Sequence, residues 1–190
     1  MFEDWIHEKL KTEIGILRYN HSIGVMETSI KLAKYYGVNE KSAALAGLLH
    51  DCAKSKDKIK LLKMADEFGI ILDNVMKNNV ELIHGPIGAE IAKRQYNIED
   101  KKILSAIQYH TTGKEDMSIL EKIIFIADYI EPNRKFKGVE EARKLAFEDL
   151  DESLIYAMDN TIKFVINSGG LIHLDTVKAR NYLKIEKSLE

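Results

Sequence analysis

Apolar residues recur three and four positions apart in segment after segment of the chain, and this spacing constrains the fold more than any other feature. In segment 118–131 they mark one helical face, formed by Ile119, Ile123, Ile126 and Ile130. No stretch shows the sustained alternation of apolar and polar residues that is typical of a half-buried strand. The sequence therefore predicts an all-α fold, a helical bundle of one domain.

The same spacing, with glycines and prolines as boundary signals, predicts the positions of the helices. They are expected near residues 3–14, 16–36, 40–54, 57–68, 70–79, 86–96, 99–110, 118–131, 139–147, 151–167 and 174–188. Ser118 and Glu121 have the spacing of a capping box, with which a helix begins. We expect segment 1–15 to be a loosely attached helix.

Composition excludes several classes of protein. The 190 residues suit one domain, and the single cysteine, Cys52, excludes an internal disulfide and fits the reducing cytoplasm. No signal peptide is recognised, and no apolar run approaches the ~20 residues of a membrane span. With 28 basic and 30 acidic residues the net charge is -2, so no basic excess favours binding to nucleic acid. A cytoplasmic protein without a nucleic-acid or membrane partner is expected.

Ionisable residues interrupt two apolar segments that should be buried. The run SAALAGLLHDCAK, residues 42–54, ends in His50 and Asp51, and Asp128 lies inside KIIFIADYIEP, residues 122–132. An unpaired carboxylate in such surroundings would cost several kcal/mol, so each needs a cation or several donors. A metal ion shared by the two segments would satisfy both carboxylates.

Three further histidines lie on or next to predicted helices, at positions 21, 84 and 110. Taken singly, each is more often a helix cap or a hydrogen-bonded core residue than a ligand. His7 has no such setting, and His173 is undecided. Together the histidines and carboxylates predict a transition-metal site built from facing helices, because they suit Fe, Mn, Co, Ni or Zn better than Ca or Mg.

Five motifs follow one another along the chain: RYNHSIGV, HDCAK, HGPIGA, HTTG and IADYIEPNR. Their order and spacing over residues 16–135 resemble the HD-domain phosphohydrolase superfamily. The resemblance implies a metal held by His21, His50, Asp51 and Asp128, and it matches His84 and His110 to the additional histidines of several branches. It also divides the single domain 1–190 into a metal-binding core, roughly 16–135, and C-terminal helices, 139–190, that complete the bundle and the nucleotide pocket.

The motifs are similar, in particular, to those of the bacterial YqeK group of this superfamily. That resemblance implies symmetrical hydrolysis of diadenosine tetraphosphate (Ap4A) to two ADP, with a divalent transition metal as cofactor. Iron is the first expectation for that metal, with Mn, Co, Ni and Zn as alternatives. The Gly-Tyr-Pro signature of cyclic di-GMP phosphodiesterases is missing, which disfavours that branch.

Catalytic roles are expected for Asp51, Lys54 and Asp128. Lys54 should share a helix face with His50 and Asp51 and reach a phosphate. His84 and His110 are expected at the rim of the site, where they either hold a second metal or contact phosphate. The phosphate role is favoured, because four ligands already complete a site for one metal.

Substrate contacts are also expected from His21, from Thr111 and from the guanidinium of Arg134, which offers a planar fork to phosphate. Segment 168–176, SGGLIHLDT, combines two glycines with a helix start, a natural anion site. We expect this loop to close over the nucleotide through Leu171, Ile172, His173, Leu174, Asp175 and Thr176.

Two other functions remain open at this point. One is a nucleotidase or another nucleotide phosphohydrolase, with a link to NAD metabolism, and the other is a helical metal-binding regulatory module without turnover. Lys54 and Arg134 beside the ligand set argue against the module, because a purely structural metal site needs no phosphate cations. The oligomeric state is open and includes a homodimer.

Overall fold

The computed structural model describes residues 4–55 and 57–189. Within these ranges the chain forms α-helices and a 3₁₀ turn but no strand, so the all-α prediction is confirmed. The helices are α1 Asp4–Tyr35, α2 Glu40–Leu49, α3 Lys58–Glu67, α4 Asn74–Asn78, α5 His84–Gln95, α6 Lys101–Tyr109, α7 Ile119–Ile130, α8 Val139–Glu148, α9 Leu150–Asn167 and α10 Leu174–Leu189, and the 3₁₀ turn is Val80–Ile83.

The first helix is broken at Gly15, where φ is 77° and ψ is 160°. The break separates the two helices predicted at 3–14 and 16–36, and residue 3 lies outside the described residues. The expectation of a loosely attached N-terminal helix is wrong. Ile6 and Leu10 are buried in the core, and the Trp5 ring stacks on Tyr96 with centroids 6.0 Å apart. This apolar face docks the segment firmly on the rest of the bundle.

Two predicted helices are too long. The helix expected at 40–54 ends at Leu49, and residues 50–53 form a turn that delivers Lys54, whose N–H donates to the Asp51 carbonyl at 2.9 Å. The helix expected at 70–79 is only the short α4, Asn74–Asn78. It begins at residue 74 because the Asp73 side chain accepts from the Met76 N–H and caps the helix start. The 3₁₀ turn that follows was not predicted.

Helix α7 begins as the sequence predicts. Ser118 accepts from the Glu121 N–H, and the Glu121 side chain accepts from the Ser118 N–H, so the capping box is confirmed. The helix continues through an apolar segment in which most residues are buried. Helix α7 packs against α1, α2, α6 and α9 and is therefore central in the bundle.

Glycines allow two helix contacts that position the site. A Cβ added at Gly47 of α2 would lie 2.9 Å from the Ser29 Oγ and 3.0 Å from the Met26 Cα of α1. A Cβ added at Gly85 of α5 would lie 2.5 Å from the Gln108 carbonyl oxygen of α6. Both contacts are closer than a side chain permits, so glycine brings α1 to α2 and α5 to α6.

Among the helices of residues 4–55 and 57–189, none combines the length and the hydropathy needed to cross a membrane.

Candidate metal centre

The first part of the site joins α1, the end of α2 and α7. His21 Nε2 lies 3.3 Å from His50 Nε2 and 3.0 Å from Asp128 Oδ1. His50 Nε2 lies 3.3 Å from Asp51 Oδ2. The structure thus brings together the four residues that the family resemblance implied as metal ligands. Their donor atoms are close enough to share one ion, with His21, His50 and Asp51 forming one candidate group.

The second part of the site is formed by His84 and His110, which lie close to Oδ1 of Asp51. His84 Nε2 is 2.9 Å and His110 Nε2 is 3.7 Å from Asp51 Oδ1, and the two Nε2 atoms are 3.0 Å apart. The three residues form a further candidate group for a metal ion. Asp51 therefore presents one oxygen to each group of histidines.

The expected rim position of His84 and His110 is wrong, since each is only 3% exposed. His84 is the first residue of α5 rather than part of a preceding loop. The close α5–α6 contact at Gly85 then buries it against His110, which follows the last residue of α6.

Backbone carbonyls fix the orientation of three imidazole rings. The Nδ1 atoms of His50, His84 and His110 each contact the carbonyl oxygen of the residue three positions earlier, which is Gly47, Glu81 and Ile107 respectively. A carbonyl only accepts, so Nδ1 carries the proton and donates. The Nε2 lone pair of each ring then faces the centre, as in metal-ligating histidines.

The carboxylate of Glu131 fixes the orientation of the His21 ring. Its Oε1 accepts from His21 Nδ1 at 3.2 Å, and its Oε2 accepts from the Asn133 N–H at 2.7 Å. The carboxylate is 2% exposed, and a Cβ at Gly24 would lie 2.6 Å from its Oε2. The sequence analysis missed Glu131, although its position three residues after Asp128 in a buried segment was an available signal.

Inward lone pairs about 3 Å apart repel one another unless a cation lies between them. The contacts between His21 and His50 and between His84 and His110 are of this kind. The donor set, neutral imidazoles with carboxylates, suits a divalent transition metal. The residues present therefore fit the metal that the sequence analysis expected.

Both central carboxylates are held ionised. Burial raises the pKa of Asp51, but the surrounding imidazoles, His50 first and then His110 and His84, outweigh it and bring the pKa well below its usual range. Burial also raises the pKa of Asp128, but the neighbouring imidazoles of His21 and His50 and the guanidinium of Arg134 lower it further than burial raises it. The site therefore carries negative charge for a cation.

A cleft of about 400 Å³ opens above the cluster, with Asp51, His84, His110 and Asp128 in its lining. Its lining includes the cations predicted at Lys54 and Arg134, and also Arg18.

Each of the three cations is anchored by a carboxylate. The Nζ of Lys54 lies 3.1 Å from Glu81 Oε2, and Arg134 Nη2 donates to Asp128 Oδ1 at 2.5 Å. Arg18, which the sequence analysis did not single out, donates from Nη1 to Asp51 Oδ2 at 2.8 Å. Its position three residues before His21, on the same face of α1, was the signal for it.

Thr111 also lies where the sequence analysis placed it, beside the cluster in the cleft lining. Its Oγ1 is buried and has no hydrogen-bond partner in the part of the chain that the structure describes. A buried hydroxyl of this kind is costly unless a ligand completes it.

The loop predicted to cover the nucleotide lies beside the cleft. His173 is buried with its Nε2 3.0 Å from Asp73 Oδ2, and the Asp175 N–H donates to its Nδ1 at 3.2 Å. Asp175 lines a crevice of about 30 Å³ whose lining shares Leu82 and Thr111 with the cleft. Ile172 is half-buried and Thr176 is buried, whereas the side chains of Leu171 and Leu174 are exposed. Nucleotide contact by this loop stays a prediction.

The helical architecture and the histidine–aspartate cluster define a class of protein, an all-α protein with a candidate metal centre in its core. Residues 18–133 match the HD domain family, and the chain belongs to that family. The resemblance seen in the motifs is thereby confirmed.

Relatives and a solved structure extend this result. The chain is 45% identical over 170 residues to the symmetrical bis(5'-nucleosyl)-tetraphosphatase of Halalkalibacterium halodurans, covering 90% of each protein. It is 40% identical to the protein of the same name from Bacillus subtilis, over 92% of this chain and 93% of that protein. A crystal structure from Clostridium acetobutylicum, described as a predicted HD superfamily hydrolase involved in NAD metabolism, is 47% identical, with a TM-score of 0.94 over 98% of this chain and 99% of that chain.

Proposed function

We propose that this protein is a metal-dependent hydrolase that cleaves dinucleoside tetraphosphates symmetrically, Ap4A to two ADP. The observation that carries the proposal is the convergence of four imidazole Nε2 atoms on the two oxygens of Asp51, in the lining of an open cleft. The names of the relatives from Halalkalibacterium halodurans and Bacillus subtilis support the choice of substrate.

The candidate ligands would hold two metal ions, because Asp51 belongs both to a group with His21 and His50 and to a group with His84 and His110. His21, His50 and Asp128 would hold the first, and His84 and His110 the second. Burial of His84 and His110 against Asp51 favours ligation over the phosphate contact that their predicted rim position suggested. Iron is the first choice of metal, with Mn, Co, Ni and Zn as alternatives of suitable ligand preference.

A bound divalent metal supplies Lewis acidity at the attacked phosphate and acidifies a water enough to attack near neutral pH. Around it the chain's own cations would hold the polyphosphate. Lys54, Arg134 and Arg18 line the cleft beside the cluster, and a guanidinium can bind phosphate through two parallel hydrogen bonds. The buried hydroxyl of Thr111 is available to donate to a phosphate oxygen.

The reaction breaks the central anhydride bond. The oxygen of water forms a bond to one of the two inner phosphorus atoms, and the bridging oxygen leaves with the other. One ADP gains the hydroxyl of water, and the second carries the departing oxygen together with the remaining proton of the water, so the atoms balance without another reactant. Lys54 and Arg134 would offset the charge that develops on the departing phosphate.

Segment 168–176 would contact one nucleotide from the side of the cleft at Thr111. Asp175 and Thr111 line the same crevice beside the cleft, which supports this contact.

Product analysis tests the proposal. The metal-loaded protein is incubated with Ap4A, and the products are separated by ion-exchange chromatography. ADP as the only product is expected, whereas AMP and ATP as main products would exclude symmetrical cleavage.

A nucleotide phosphohydrolase linked to NAD metabolism is the second candidate. The description of the Clostridium acetobutylicum structure favours it. Faster release of orthophosphate from mononucleotides than of ADP from Ap4A, in the same assay, would support this candidate.

A further inference from the structure

The cleft continues into a groove that the metal centre does not use. The groove has a volume of about 740 Å³, within the usual range for ligand pockets. It runs between the end of α7, the turn after it and one face of α9, and we call it the α9 groove. Its lining shares four residues with the cleft, Tyr129, Arg134, Phe136 and Thr161.

We propose that the α9 groove binds the second nucleoside of a dinucleoside polyphosphate. This inference rests on the proposed function and adds a specificity site to it. The crevice beside segment 168–176 shares Leu82 and Thr111 with the cleft, and the α9 groove shares a different set of residues. Segment 168–176 and the α9 groove thus flank the cleft at different residues, as a substrate with a nucleoside at each end of its phosphate chain requires.

Aromatic side chains give the α9 groove faces for a nucleobase. The side chain of Phe164 is 71% exposed and that of Phe136 is 40% exposed. Tyr129 and Phe136 lie edge to face with ring centroids 4.9 Å apart. Exposed aromatic groups lining a groove mark a binding surface, and nucleobases stack on them regardless of the base.

The charge of the groove suits a phosphorylated nucleoside. Lys137 and Lys163 line it together with Arg134, and the described part of its lining contains no aspartate or glutamate. Asn160 and Asn167 add amide groups that can hydrogen-bond to a base edge or a ribose hydroxyl.

Arg134 joins the groove to the chemistry. Its Nη2 donates to Asp128 Oδ1 and its Nε donates to the Asp128 carbonyl at 2.8 Å. The guanidinium thus stands between the metal ligands and the α9 groove. A polyphosphate held at the metal centre and passing Arg134 would lead its nucleoside directly to Phe136 and Phe164.

Calorimetry with matched ligands tests this inference. The probes are Ap4A with a methylene group in place of its central bridging oxygen, and the same tetraphosphate analogue with one adenosine only. The metal-loaded parent is expected to bind the two-nucleoside analogue about 10-fold more tightly, the size of one stacking contact. Phe164→Ala should reduce this ratio to about one, and Phe164→Trp should restore it.

Ile166→Ala is the matched control, since Ile166 is exposed on the same helix and does not line the groove. It should keep the affinity ratio of the parent. Equal affinities for the two analogues in the parent, or an unchanged ratio in Phe164→Ala, would overturn the inference. So would a shift of Phe164→Ala to a smaller species in sedimentation, since a second copy of the chain would then cover the groove. Cleavage of Ap4A to AMP and ATP would instead overturn the proposed function and leave the affinity ratio interpretable.

Discussion

Glu131 and His21 are linked by a hydrogen bond of 3.2 Å between Oε1 and Nδ1, which joins the end of α7 to the middle of α1. The bond turns His21 Nε2 toward Asp128, which lies 3.0 Å away. A buried carboxylate thus does for His21 what backbone carbonyls do for the other three histidines.

Glu131→Gln should weaken metal binding by roughly 10–100-fold, the usual effect of losing a carboxylate that orients a metal ligand. The amide keeps the size of the side chain, so the fold should persist. Competition with a chelator of known affinity measures the effect. Glu148→Gln at the end of α8 is the control, because Glu148 is exposed and its ion-pair partner is Lys144, at 3.8 Å. Equal chelator resistance in the two variants would contradict the role of Glu131.

Arg143 supports the turn that carries Arg134. Its Nη2 donates to the carbonyls of Glu131 at 2.8 Å and Arg134 at 3.0 Å, and its Nε donates to the Ile130 carbonyl at 2.9 Å. Arg143→Ala should therefore displace Arg134 and lower kcat/KM by about 10²-fold, as small misplacements in active sites do.

The variant Lys144→Ala is the control for Arg143→Ala. Lys144 is the next residue, it is exposed, and its ion pair with Glu148 is long, at 3.8 Å. Steady-state kinetics with Ap4A compare the two proteins. A loss of melting temperature in Arg143→Ala with unchanged kinetics would show that Arg143 stabilises the fold without positioning Arg134.

Cys52 should be unreactive in the folded protein. Burial raises the pKa of its thiol, and the negative charges of Asp51 and Glu13 raise it further. A raised pKa keeps the thiol protonated at neutral and mildly alkaline pH, and only the thiolate is nucleophilic. Iodoacetamide should label Cys52 in guanidinium chloride but not in buffer, as intact-mass spectrometry would show. Rapid labelling in buffer would contradict the burial of this side chain.

Most helices and three residues of the candidate site were predictable from local patterns, whereas the complete set of candidate ligands followed from the family resemblance. The spacing of isoleucines in α7 and the capping box of Ser118 and Glu121 determine that helix within its own segment. His50, Asp51 and Asp128 were conspicuous because ionisable groups interrupted apolar segments. These signals need no knowledge of tertiary contacts.

Other features depend on contacts between distant segments. The burial of His84 depends on how closely α5 approaches α6. Gly85 permits this close approach, but a glycine in the sequence does not by itself predict it. The attachment of the N-terminal segment depends on the stacking of Trp5 with Tyr96. The α9 groove likewise combines residues of α7 and α9 that are far apart in sequence, such as Tyr129 and Phe164.

Metal counting tests the central claim, a centre of two metals that share Asp51. Protein purified without chelator and reconstituted anaerobically is analysed for bound metal by inductively coupled plasma mass spectrometry. The parent and the control His7→Ala, whose imidazole contacts Tyr19 outside the cluster, should each bind two ions per chain. His84→Ala should retain one, and Asp51→Ala should retain none. One ion per chain in both the parent and His84→Ala would contradict the claim and would support a phosphate-binding role for His84.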